Sequence, residues 1–128
     1  MKRILISTAI ILAMAAAIGC HILYLNHFAD QLDRLLTQAE KEVEREDWSQ
    51  AEALTRQALE DWENHDFYLH TVMRHEDIDD ILISFHEALA FLSGAELQPA
   101  EYAAVNARLL SQLSLLLEEE LPTLKNLL

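Results

Sequence analysis

ILISTAIILAMAAAIGCHILYLNHFADQLDRLLTQAEKEV, residues Ile4–Val43, decides the fold. Its first part, Ile4–Leu25, is almost unbroken apolar sequence, and no formal charge follows until Asp30. At about 1.5 Å per helical residue such a run reaches roughly the 30 Å of a bilayer core. The second part is striped instead. Phe28, Leu32, Leu35, Leu36, Ala39 and Val43 recur at steps of three and four, the pattern of a helix with one buried face. Nothing between Leu25 and Phe28 compels a break, so the sequence predicts one rod running from a membrane into a helical bundle. It divides the chain into an anchor, residues 1–26, and a bundle domain, residues 27–128.

Three fates of the amino terminus are compatible with the residues. In the first, Ile4–Leu25 is an uncleaved signal anchor. Lys2 and Arg3 precede it, while Asp30 and Asp33 oppose a single Arg34 on the other flank. That asymmetry keeps the amino end in the cytoplasm and places the domain outside it. In the second, Ala17-Ile18-Gly19-Cys20 is a lipobox, and Cys20 becomes a lipidated first residue. The apolar continuation His21-Ile22-Leu23-Tyr24-Leu25 fits poorly with the polar tether that usually follows. In the third, Ala15-Ala16-Ala17 is a cleavage site, which would leave Ile18–Leu25 as an uncovered apolar terminus. The anchor reading fits best. Cys20 is the only cysteine, so no intrachain disulfide is available and the domain must rest on its core.

Charge narrows the partners. Lys2 and Arg3 are the only charged residues before Asp30, so residues 26–128 carry a formal −15, beyond the −13 of the whole chain. Such a surface repels nucleic acid and flat anionic membranes, leaving cations, basic protein surfaces or plain solubility as its use.

The remaining pattern is helical. Two glycines (Gly19, Gly94), two prolines (Pro99, Pro122) and an abundance of Ala, Leu, Glu and Gln leave no convincing strand alternation. Glu46-Asp47 marks a turn, and Asp47 with Gln50 forms a capping-box pattern opening a second helix. Trp48, Ala51, Leu54 or Thr55, Ala58 and Trp62 face inward from it, and the pattern allows it to continue to about Met73. A third helix starts near His75–Asp77, where Glu76, Asp77, Asp79 and Asp80 suit a helix amino end. Its core face is Ile78, Ile81, Leu82, Phe85, Leu89 and Leu92, and Gly94 supplies a carboxyl cap. Pro99 opens a fourth helix, with Tyr102, Val105, Leu109, Leu113, Leu116 and Leu117 inward, and Pro122 is expected to end it. The expected fold is all-α: an amino-terminal transmembrane helix continuous with an up-down four-helix bundle. Asp47–Leu54 also has the look of one tetratricopeptide helix, but a solenoid needs at least three stacked units.

Glu46-Asp47-Trp48, Trp62, His75-Glu76-Asp77-Ile78-Asp79 and the ending Leu124-Lys125-Asn126-Leu127-Leu128, behind a short amino-terminal anchor, together resemble a bacterial family catalogued as domain of unknown function 4363. The resemblance covers nearly the whole chain. It implies a membrane-tethered helical domain exposed outside the cytoplasm and brings no activity with it. Gln98-Pro99 and the Ala-rich start of the fourth helix depart from the pattern.

Candidate sites are few. His65, His70 and His75 recur every five residues, about 140° apart on one helix, so the three cannot share a face. His75 and Asp79 can, and with His70 and Glu76 they form a candidate divalent-cation site; the bland reading is that His75 orients the start of its helix. His75-Glu76 lacks the second histidine of a zinc-protease helix. His86 sits at the edge of a core stripe. Trp48 and Trp62, fourteen residues apart on one side of the second helix, read as core anchors rather than a ligand cage. Glu118-Glu119-Glu120 opposes the helix dipole at about 0.3–1 kcal/mol each, which suggests a basic partner or a bound cation; a solvated face partly neutralised by Lys125 is the alternative. Leu121, Leu124, Leu127 and Leu128 either cover the bundle end or dock on another protein. No nucleophile stands near a base, and no cofactor is called for. The sequence thus favours a non-enzymatic membrane-anchored module for a protein partner in the membrane or envelope, with a cation-binding or sensing domain as the alternative.

Overall fold

The computed structural model describes residues 1–72, 74–94 and 96–127, and their side chains except at 72 and 117–127. Five helices follow one another: α1 Lys2–Glu44, α2 Trp48–Asn64, α3 Asp66–Val72, α4 His75–Ser93 and α5 Pro99–Leu127. No strand occurs among the described residues. The expected rod is present: α1 is unbroken over 43 residues, about 65 Å. It is the one helix among the described residues long and apolar enough to cross a membrane.

α1 packs against α2 and α5, and α4 packs against the same two from the opposite corner. The result is a four-cornered up-down bundle with α3 as a short bridge between α2 and α4. The predicted stripes meet at its centre. Leu32, Leu36, Ala39, Ala51, Ala58, Ile78, Ile81, Phe85, Tyr102 and Leu109 are buried, with Trp62 between Phe28 and Phe85. Thr55 rather than Leu54 takes the inward place on α2, because its hydroxyl is satisfied twice: it donates to the Ala51 carbonyl at 2.9 Å and meets the Tyr102 hydroxyl at 2.8 Å.

The α1–α2 turn is built by backbone bonds. Glu46 N–H donates to the Val43 carbonyl and Asp47 N–H to the Glu42 carbonyl, and Glu46 stands at φ 61°. That is the Schellman arrangement, with glutamate where glycine is usual. Asp47 then caps α2, its carboxylate accepting the Gln50 amide at 3.2 Å. The Asp47 amide is already spent on Glu42, so the box is half closed by the preceding helix.

Three expectations about helix ends are corrected. α2 does not run on past His65. His65 leaves helical geometry (φ −100°, ψ 6°), its ring nitrogen Nδ1 donating to the Asp61 carbonyl at 2.6 Å while its ring lies 4.2 Å from that of Phe28. Docking against α1 overrides a local sequence that has no breaker; Met73 lies outside the described residues. Gly94 ends α4 in extended geometry (φ −72°, ψ 168°), not as a left-handed cap. The loop leads directly to Gln98, whose amide reaches back to the Phe91 carbonyl and whose own carbonyl accepts from Tyr102. A side chain at 94 would meet the Ala90 carbonyl at 3.2 Å, so the position still suits glycine. Pro122 does not stop α5, which continues to Leu127. A proline inside a helix forfeits one amide bond, and a helix of this length absorbs that loss.

Candidate functional site

Residues 1–17 of α1 are exposed throughout, including Ile4, Leu5, Ile6, Ile10, Ile11, Leu12 and Met14. No other element packs on them. Packing begins near Ile18–His21 and is complete at Leu25, so the last residues of the apolar run serve the bundle. Cys20 is exposed on the same rod. The end of the bundle where the apolar stretch departs is therefore the place to look for function.

That end carries an aromatic collar. His21 Nδ1 meets the Tyr68 hydroxyl of α3, and the two rings lie 5.6 Å apart. Tyr24 packs edge-on against Tyr68 at 5.0 Å and against His65 at 5.7 Å. Leu69, from the other side of α3, enters the core beside Leu25, Phe28, Leu113 and Leu116. The cavity there is about 20 Å³, room for one water at most, so this end is sealed. Phe67 stands apart, 88% exposed. The core positions Phe28, Leu113 and Leu116 were legible in the sequence; the joining of His21 and Tyr24 to Tyr68, and the exposure of Phe67, were not. The signal available was Tyr24 at the end of the apolar run, a residue type enriched at a membrane–water boundary.

The predicted cation residues are partly brought together. His70 and His75 face each other, Nδ1 to Nδ1 at 2.7 Å, and His70 Nε2 lies 3.0 Å from Asp66. One Nδ1 must donate to the other, so both nitrogens are engaged and neither is open to a metal in this arrangement. Glu76 and Asp79 are exposed on α4, and no group of three or more His, Cys, Asp or Glu among the described residues is placed to hold a metal ion. His86 is exposed, not at the edge of the core. Trp62 is a core anchor, while Trp48 is half-buried against the core. The side chains of Leu117, Glu118, Glu119, Glu120, Leu121, Leu124 and Leu127, and all of Leu128, lie outside the described residues. The α5 backbone is antiparallel to α1, since Asn106 reaches the Leu36 carbonyl at 3.1 Å while Leu113 and Leu116 lie beside Leu25 and Phe28. The carboxyl end of α5 is thereby directed toward the aromatic-collar end.

Elsewhere the polar surface is ordinary. Arg56–Glu52 (2.8 Å) and Arg108–Glu87 (2.5 Å) are exposed pairs, worth at most about 1 kcal/mol each. A cleft of about 140 Å³ between α4 and α5, lined by Asp77, Asp80 and Gln112, is smaller than ligand pockets usually are. Burial raises the Tyr102 pKa above 10.0, with the Glu40 charge adding to it and the Thr55 bond opposing.

Residues 20–127 match a family model described as Domain of unknown function. No curated protein and no solved structure matches the chain.

Proposed function

The chain belongs to the DUF4363 family, whose description assigns no activity, and we propose that it is a single-pass membrane protein presenting a non-catalytic bundle to a protein partner at the membrane. The observation that carries this reading is the undivided α1, apolar from Ile4, exposed up to residue 17 and core-forming from Leu25 onward. A continuous helix transmits position and orientation from lipid to bundle without a hinge. The basic Lys2-Arg3 end lies in the cytoplasm, and the acidic bundle lies outside it. The partner is held through Glu118, Glu119, Glu120, Leu124, Leu127 and Leu128, carboxylates and leucines suited to a basic, partly apolar surface.

Cross-linking of the full-length protein in native membranes, read by mass spectrometry, tests this. A recurring membrane or envelope protein, lost when Glu118, Glu119 and Glu120 are replaced by lysine, is expected. A scatter of unrelated proteins, unchanged by the replacement, contradicts it. The alternative reading of the sequence is a cation-sensing domain at His70, His75, Glu76 and Asp79. Calorimetry of the full chain in detergent with zinc tests that alternative, and heat at micromolar metal would favour it.

A further inference from the structure

We propose that α3 is seated on the lipid surface, with Phe67 immersed in the interfacial layer of the bilayer as a second contact beside the anchor. This rests on the anchor reading of α1. Three observations carry it. First, the place: Tyr68, next to Phe67, joins His21 and Tyr24 of α1, and the apolar stretch exposed over residues 1–17 begins one helical turn beyond. α3 is thus held where α1 leaves the bundle.

Second, the direction: Leu69 is buried in the core, and two helical residues turn about 200°, so Phe67 faces away from the bundle. Third, the chemistry: Phe67 is the most exposed aromatic side chain described, on a helix whose only carboxylate, Asp66, is paired with His70 at 3.0 Å. An aromatic ring at the level where a helix enters lipid is at home among head groups and upper acyl carbons, and in water it exposes its whole face at a cost. The exposed rod and Phe67 flank the same collar, so one bilayer can reach both. Two attachments fix the bundle's tilt, which one helix alone leaves free to vary.

The test uses full-length protein carrying Cys20→Ala, reconstituted in phosphatidylcholine–phosphatidylglycerol vesicles. A nitroxide is attached through Phe67→Cys, Ile11→Cys or Glu101→Cys in turn, and its collisions with oxygen and with a water-soluble nickel chelate are compared. The expected oxygen-to-nickel ratio at 67 is several-fold above that at 101 and approaches that at 11. A ratio at 67 equal to that at 101, with 11 still in lipid, overturns the seating of α3 and leaves the anchor standing. Equality at all three positions overturns both.

Discussion

The Tyr102 hydroxyl lies 2.8 Å from Thr55 Oγ1, joining α5 to α2 across the diagonal of the bundle. α2 and α5 are otherwise separated by α1 and α4, so this bond fixes the register of corners that do not pack side by side. Both residues have no exposed surface. Thr55 is committed as a donor to the Ala51 carbonyl, so Tyr102 is the donor between the two. A buried hydroxyl that loses its partner costs about 1–3 kcal/mol. Thr55→Val is expected to cost that much in urea unfolding of the full-length protein in detergent, followed by tryptophan fluorescence. Adding Tyr102→Phe should recover part of the loss, and strictly additive effects would show that the two hydroxyls are not coupled.

The same tyrosine sets an alkaline limit. Burial raises its pKa, so the folded chain holds this proton more tightly than the unfolded chain does. Its contribution is fully present below pH 10 and is lost as the pH rises through the ordinary tyrosine value toward the raised one, at up to about 1.4 kcal/mol per pH unit. Tyr102→Phe should lack this component. Unfolding curves between pH 9 and 11 that fall in parallel for both proteins would refute it.

At the α1–α2 turn Glu46 occupies the left-handed region at φ 61°. Glycine holds that conformation without the clash a β-carbon makes. Glu46→Gly should therefore stabilise the fold by about 0.5–1 kcal/mol, whereas Asp47→Ala, which removes the cap on Gln50, should cost about 1 kcal/mol. Thermal unfolding of the two variants gives opposite shifts in Tm, and shifts of the same sign would contradict the assignment of the turn.

α3 offers a contrast within three residues. Leu69→Ala removes a core side chain and should destabilise by about 2–5 kcal/mol. Phe67→Ser touches no core and should stay within about 0.5 kcal/mol in detergent unfolding. A large loss at Phe67 would mean that its ring packs inside the bundle.

How much of this was legible follows the range of the forces involved. The stripes of α1, α2, α4 and α5 could be read because a long helix must repeat its apolar face every three or four residues, and each predicted face is the one that meets the core. The Glu46-Asp47 turn and the Pro99 start were legible because capping is local. The break at His65 was not. No residue there disfavours helix, and the ring contact with Phe28 that accompanies the break joins positions 37 residues apart. Gly94 and Pro122 misled for the opposite reason: each is a familiar terminator, yet the loop to Gln98 needs extended backbone at Gly94, and α5 carries on through Pro122. The aromatic collar is assembled from α1 and α3, with His21 and Tyr68 47 residues apart, and no local pattern joins them.

Fractionation of cells expressing the full-length protein tests the central claim most directly. After detergent-free lysis, the protein should sediment with membranes, stay there through a high-salt wash, and leave only in detergent. Recovery of the intact folded chain in the aqueous supernatant would contradict an apolar rod lodged in lipid, and the bundle's place at the membrane would go with it.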